Sequence, residues 1–199
     1  MAITRARTSS VAQGPSTKRT LLADNPVILG GSYESIATYT VTGASTASFT
    51  LSSIPSTYTH LQLRCFVKLD AGTWIPFRVN GDTNAQRSTH NLRGIGSGSG
   101  NASSGLGGTG EGNIALVADV SQWGGIIIDI LDYANTNKNK TTKIFFGFDN
   151  NGSGSVGIGS VLHYTVGTSA VTSVGMDITQ YGSGAKFVVG STFALYGIK

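Results

Sequence analysis

The chain of 199 residues is long enough for one domain with a single sizeable core. Its 28 glycines and its charged fraction of only 12% exclude a mainly helical protein, because glycine is unfavourable inside helices and surface helices need charged faces. Cys65 is the only cysteine, so the chain cannot form an internal disulfide or a thiolate metal cluster, and we predict a core residue at this position.

Residues 1–31 are predicted to form an extended N-terminal attachment arm. They carry a net charge of +3, four basic residues against Asp24, out of +4 for the whole chain. No period of 2 or 3.6 is sustained in them, yet five aliphatic side chains are more than a soluble tail needs, so we expect the arm to order on a partner's surface. The alternative is a disordered leader whose last residues pack on their own domain. The expected partner-binding residues are Arg5, Arg7, Lys18, Arg19, Leu21, Leu22, Val27, Ile28 and Leu29.

From Tyr33 onward, strand-like segments alternate with turn-forming clusters at the intervals typical of sandwiches and jelly rolls. Eleven strands are too many for one flat sheet, so we predict an all-β fold over residues 32–199, an antiparallel β-sandwich or jelly-roll-like domain. The predicted inward side chains are Leu61, Leu63, Val67, Ile114, Leu116, Ala118, Ile126, Ile128, Ile130, Ile144, Phe146 and Phe148. The predicted strands are 33–42, 46–52, 59–69, 73–80, 87–95, 113–120, 124–132, 141–149, 155–165, 171–179 and 185–198, the last with an interruption at Gly190.

The clearest strand is the third, where one side is formed by alternate apolar residues from Leu61 to Leu69 and the other by His60, Gln62, Arg64, Phe66 and Lys68. Pro55 has no backbone donor, so residues 54–58 are predicted to bend before this strand. Asn80-Gly81 and Asn151-Gly152 are predicted to supply the positive φ of tight hairpins.

A glycine-rich tract, with nine glycines in residues 94–112, is predicted to be a long flexible loop. Small polar side chains there and in 149–155 are suited to adaptable hydrogen bonding. They form a possible surface recognition loop, although the tract could also merely fill space between subunits. Its candidate residues are Ser97, Ser99, Asn101, Ser103, Thr109, Asn150 and Asn151.

Several patterns could indicate catalysis or a cofactor, but each has a simpler explanation. Residues 105–110 match G-x-G-x-x-G without the helix that a dinucleotide site needs, and 149–154 resemble a calcium loop but are better explained as a hairpin turn. Asp129 and Asp132 lie three residues apart, which places them on opposite faces of a strand unless it ends between them. Three histidines lie on separate predicted strands: His60, His90 and His163. We therefore predict a non-enzymatic protein without cofactor or metal.

Other residues are candidates for contacts with partners. Trp74 and Trp123 could stack on sugar rings but are more typical of a core or an interface. Lysines in the block 138–143 are predicted to form a solvated loop patch, so nucleic acid is not an expected partner. Phe66, Trp123 and Tyr196 are predicted interface aromatics.

Three segments of the domain resemble virion proteins of tailed bacteriophages. They are FTLSSIPSTYTHLQLR at 49–64, which leads toward an Asn-Gly-Asp turn, IIDILDYANTNKNKT at 127–141, and STFALYGIK at 191–199. Residues 74–77 and the glycine-rich tract depart from that family's pattern. The resemblance implies a non-enzymatic structural component of the virion. A tail-associated fibre or adhesin anchored by its arm is favoured, and a capsid decoration protein on the phage head is the alternative.

The expected partners follow from this resemblance. They are other tail or capsid proteins, two further copies of the chain in a homotrimer, and a host surface glycan or protein. No apolar run approaches the ~20 residues that span a bilayer, and residues 1–20 contain no apolar segment of a signal peptide, so we expect no membrane insertion. The expected location is the virion, assembled in the cytoplasm of the host bacterium.

Overall fold

The structure is a computed structural model that describes residues 32–83, 87–95, 98–106, 113–117, 122–148, 154–163, 167–181 and 184–199. Apart from Tyr33 and Glu34 at the start of the first strand, the fold described below is that of the compact unit Ser35–Lys199. The predicted arm, 1–31, lies outside the described residues.

Twelve β-strands and one short 3-10 helix, Ile178–Tyr181, make up the regular structure of the described residues. The first six strands are β1 Tyr33–Thr40, β2 Ser48–Leu51, β3 His60–Val67, β4 Thr73–Val79, β5 Arg87–Ile95 and β6 Ser99–Leu106. The last six are β7 Asn113–Val117, β8 Gly124–Leu131, β9 Lys140–Phe148, β10 Ser155–His163, β11 Val174–Asp177 and β12 Thr192–Ile198.

The strands form two sheets, and every pairing between strands that the structure records in register is antiparallel. The larger sheet has the order β1-β12-β3-β8-β9-β10-β5-β6, and the smaller one has the order β2-β11-β4-β7. Without the paired insertions β5–β6 and β9–β10, eight strands remain. Numbered along the chain, these lie in the orders 1-8-3-6 and 2-7-4-5, which is a jelly roll. The predicted all-β jelly-roll-like sandwich is confirmed.

The core lies between the sheets and follows the predicted alternation. Leu61, Leu63 and Val67 are fully buried on β3, and Cys65 lies between them with 5% of its surface exposed. Inward residues of β8 and β9 are buried as predicted, but Phe148 is half-buried. Burial of these apolar side chains is the main stabilising contribution, about 25 cal/mol per Å² removed from water. Side chains at the predicted inward positions 114, 116 and 118 lie outside the described set.

The bend before β3 is held by Tyr133, which follows the end of β8 that lies beside the start of β3. Ile54 is buried, while Pro55 is exposed and in no strand. The fully buried Tyr133 donates its hydroxyl hydrogen to the Pro55 carbonyl and accepts a hydrogen bond from the Tyr58 amide (3.3 Å). The predicted bend is therefore confirmed, and a buried side chain holds it in place.

The main correction concerns the glycine-rich tract. Residues 99–106, predicted to be flexible loop, form β6 and pair with β5 from Ser88↔Leu106 to Ile95↔Ser99. Glycine opposes strand formation only modestly, by roughly 0.5–1 kcal/mol per residue, and backbone pairing along a whole neighbouring strand outweighs that cost.

Three smaller predictions also change. Asn80 and Gly81 have positive φ as predicted, but the turn leads from β4 in one sheet to β5 in the other and does not close a hairpin. The predicted strand 171–179 is shortened to β11 and then a 3-10 helix. Predicted strand 185–198 is β12 preceded by isolated bridges at Phe187, with the interruption at Gly190 (φ 96°).

None of the helical structure in the described part of the chain is long and apolar enough to cross a membrane.

Candidate functional site: an apolar outer face

The outward side of the larger sheet carries a continuous row of apolar residues across five strands. The strand registers place Ile127 of β8 opposite Phe145 of β9, Phe145 opposite Ile158 of β10, and Ile158 opposite Leu92 of β5. Ala102 of β6 continues the row beside Leu92. Directly paired residues of an antiparallel sheet lie on the same face. The row is therefore one uninterrupted apolar surface.

A second row runs parallel to the first and combines large side chains with glycines. Phe66 of β3 lies opposite Gly125, which pairs with Gly147, and Gly147 pairs with Val156 of β10. Phe66 and Trp123 stack with their ring centroids 4.9 Å apart and their planes 7° from parallel. The two glycines leave a shallow depression between this aromatic pair and Val156, because a Cβ on Gly125 would meet nothing within 4 Å.

We call these two rows the apolar outer face. Its large side chains are between 36% and 56% exposed. Of the ten large apolar side chains exposed in the described part of the chain, seven belong to it. They are Phe66, Leu92, Trp123, Ile127, Phe145, Val156 and Ile158.

Apolar residues on both sides of the central strands produce this face. Ile126 and Ile128 fill the core while Ile127 between them points outward, and β9 repeats the pattern with Phe145 beside the buried Phe146. The Phe146 ring packs against Gly157, where a larger residue would not fit, because a Cβ on Gly157 would lie 2.5 Å from the ring. A strand with apolar residues on both faces is typical of a sheet covered on both sides.

A row of polar residues borders the apolar rows. Gln62 donates to Asp129 across the β3–β8 pair (2.7 Å) and accepts from the Nε of Arg64 (2.6 Å). The Arg64 guanidinium lies over the ring of Tyr196, 5.0 Å from its centroid. Lys143, exposed on β9, is opposite Asp129. An apolar centre with a polar margin containing both charge signs is the anatomy of a protein–protein contact surface.

The fold and this face together define a jelly-roll domain with a candidate surface for protein contacts. Comparison of the chain with protein-family models and with curated proteins finds no match in either.

The predicted recognition residues are not brought together as a free loop. Ser99, Asn101 and Ser103 lie on β6, opposite Ile95, Arg93 and Asn91. The other four predicted residues, Ser97, Thr109, Asn150 and Asn151, and all nine arm residues lie outside the described residues, so their roles stay predictions.

The predicted interface aromatics, in contrast, lie on one side of the larger sheet. Phe66 and Trp123 are part of the apolar outer face, and Tyr196 is half-buried at its margin beside Arg64. Trp74 lies elsewhere, 38% exposed, with the Arg93 guanidinium 5.9 Å from its ring centroid. Neither tryptophan is a core residue.

Asp132 forms a polar cluster with His60 and Lys138 after the end of β8. β8 ends at Leu131, so Asp132 lies in the following turn and not on a strand with Asp129. The Nδ1 of His60 accepts a hydrogen bond from the Asp132 backbone amide (3.0 Å), and the Asp132 carboxylate forms an ion pair with Lys138. The hydrogen bond that the Lys138 ammonium donates to the Asp132 carboxylate, together with the Lys138 charge, lowers the pKa of the Asp132 carboxyl. No group of three or more potential metal ligands occurs among the described residues.

The predicted solvated lysine patch is wrong at Lys140, whereas Lys138 and Lys143 are exposed as predicted. Lys140 is completely buried at the start of β9, and its ammonium donates to the backbone carbonyls of Asn135, Lys138 (3.2 Å) and Thr168 (3.2 Å). Burial, together with the Lys138 charge, lowers the pKa of Lys140. Lys140 therefore crosslinks two backbone segments and does not contribute to a solvated basic surface, because a buried ammonium is tolerated only when its donors are satisfied.

Sequence reasoning missed most of the apolar outer face. The signal was present in the adjacent apolar residues Ile126-Ile127-Ile128 and Ile144-Phe145-Phe146, which place one large side chain outward on each strand. Leu92, Val156 and Ile158 lie in segments rich in glycine and serine and give no such signal.

Proposed function

We propose that the protein is a non-enzymatic structural component of a tailed-phage virion, a tail-associated fibre or adhesin protein fastened by its arm, 1–31. The observation that carries the proposal is the apolar outer face on a jelly-roll domain. Jelly rolls are common in viral capsid and lectin domains, and a wide exposed apolar surface on a soluble domain is a mark of assembly with other proteins.

The positions of the phage-like segments support the same conclusion. The segment 49–64 runs from β2 of the smaller sheet into β3, the segment 127–141 contains most of β8, and the segment 191–199 contains β12. Of these strands, β3, β8 and β12 are neighbours, with β12 and β8 on either side of β3. Within the larger sheet, the resemblance therefore covers one continuous part.

A capsid decoration protein on the phage head is the second candidate. The folding of residues 99–106 as strand β6 favours it, because that strand takes away much of the loop expected to touch a receptor. An arm with four basic and five aliphatic residues suits attachment between capsid subunits as well as attachment to a tail.

The proposed partners are other virion proteins and two further copies of the chain in a homotrimer. In the adhesin role, a host surface glycan or protein is a further partner. The proposed location is the virion, assembled in the host cytoplasm, and no cofactor or nucleic acid takes part.

Copy number in purified particles tests the proposal and separates its two forms. Quantitative mass spectrometry against the major capsid protein should give a few to a few dozen copies for a tail protein and hundreds for a decoration protein. Absence of the protein from purified particles would refute both roles.

The arm is tested in the full chain by changing Arg5, Arg7, Lys18 and Arg19 to serine. Attachment should weaken and lose its salt dependence if the partner surface is acidic, because exposed charges are screened beyond about 8 Å at physiological salt. Unchanged incorporation of this variant into particles would contradict an electrostatic role for the arm.

A further inference from the structure

We propose that copies of this chain associate with one another through the apolar outer face. The inference deepens the homo-oligomer of the proposed function by naming its contact surface.

The size of the face suits a stable contact. The face spans six neighbouring strands, in the order β3-β8-β9-β10-β5-β6, and their spacing of about 4.8 Å gives a width of about 29 Å. Along the strands it has three rows, two apolar and one polar, and their spacing of about 6.8 Å gives a length of about 20 Å. The resulting ~600 Å² approaches the ~800 Å² that each partner buries in an interface of standard size.

The shape of the face suits a second copy of itself. Phe66 and Trp123 project on one side of the depression over Gly125 and Gly147, and Val156 with Ile158 projects on the other side. The same surface therefore provides both projecting side chains and a place that receives them. A homotrimer needs both features, because in a closed ring of three copies one part of the surface of each copy contacts a different part of the next copy.

The charges at the margin also favour association between like copies. Asp129 and Lys143 lie opposite each other in the polar row, and Arg64 lies at the β3 end of the first apolar row, opposite Ile127. A margin of one sign would repel an identical copy, whereas a mixed margin can place opposite charges across the contact. The centre is apolar, so association does not have to bury an unpaired charge.

The test is the mass of the purified full-length chain in solution, measured by light scattering and native mass spectrometry over a dilution series. We expect the wild type to appear as a multiple, three in the proposed homotrimer, of the chain mass of 20.6 kDa. The double variant Phe145→Lys/Ile158→Lys should appear as the monomer, because two ammonium groups would have to enter the centre of the contact.

A second variant guards against a folding defect in the first. Gly125→Glu adds a charge to the face without removing any apolar side chain, and its new Cβ meets open space within the protomer. It should raise the dissociation constant at least tenfold while circular dichroism stays that of the wild type. Ser48→Lys is the matched control, since it adds a charge to the outward side of the smaller sheet, and its mass should equal that of the wild type.

A wild-type chain that is monomeric at about 50 µM would overturn the inference, and so would an oligomer that both variants leave intact. An arm-mediated oligomer would give that second result. Either failure leaves the virion role untouched, because incorporation into particles is measured separately. Conversely, a face-dependent oligomer that is absent from particles would refute the virion role alone.

Discussion

Gly175 of the smaller sheet should not tolerate a side chain, because backbone fills the space that the side chain would need. It lies in β11 between β2 and β4, paired with Thr50 and Arg78. A Cβ at this position would be 2.4 Å from the Phe49 carbonyl oxygen and 3.2 Å from the Thr50 Cα. These are backbone atoms of β2, so no change of rotamer can relieve the contact.

Gly175→Ala should therefore displace β2 from β11. Overpacking typically costs about 1–3 kcal/mol. The better strand propensity of alanine offsets roughly 0.5–1 kcal/mol of that cost. We expect a net loss of about 1–2 kcal/mol in the free energy of unfolding.

Gly94→Ala is the matched control, because a Cβ on Gly94 of β5 meets nothing within 4 Å. This variant should gain about 0.5 kcal/mol, so the two alanine variants should differ by about 2 kcal/mol. With a urea slope of about 2 kcal/mol/M, their unfolding midpoints should lie about 1 M apart at equal protein concentration. Equal midpoints for Gly175→Ala and Gly94→Ala would refute the packing argument for β2 and β11.

Three further variants test the polar contacts inside the domain. Lys140→Met should lower the unfolding free energy in urea by about 2–4 kcal/mol, because three backbone carbonyls lose a charged donor; an unchanged midpoint would show that the ammonium is not needed there. Tyr133→Phe should cost about 1–2 kcal/mol in the same assay, since the Pro55 carbonyl loses its donor, and a neutral result would mean that water replaces the hydroxyl. Burial alone would raise the pKa of the Asp177 carboxyl, but hydrogen bonds and the Arg78 charge lower it below its usual range. The stabilisation by Asp177 is therefore present above the unfolded pKa of about 3.9 and is lost as pH falls through the folded pKa. Asp177→Asn should accordingly be less stable than wild type by about 1 kcal/mol at pH 7 and the difference should shrink below pH 4, whereas a pH-independent difference would exclude this carboxylate as its source.

Local patterns predicted much of the larger sheet. The alternation from Leu61 to Leu69 correctly predicted β3, its buried side and the core position of Cys65. The predicted bounds of β5, 87–95, are those of the structure. These predictions succeeded because an amphipathic strand specifies its own buried face, whichever strand lies beside it.

Long-range pairing overrode local composition at two places. Glycine and serine in 99–106 have little strand preference of their own, but the β5 backbone supplies partners for the whole segment. Lys140 lies in a polar loop-like sequence, yet carbonyls from residues 135, 138 and 168 surround its ammonium. Thr168 is 28 residues away along the chain, so the sequence around Lys140 does not predict this contact.

The sequence by itself determined the all-β class, the inward side of the central strands, the bend at Pro55 and the concentration of basic charge in residues 1–31, because composition and short-range periodicity specify these properties locally. Only the tertiary structure decided the jelly-roll order and the apolar outer face. Ile127, Phe145, Ile158 and Leu92 come from four strands that are up to 66 residues apart, and strand order and register alone align them in one row. Paired residues of antiparallel strands point to the same face of the sheet, so a surface can be continuous in space although no single segment of the chain contains it.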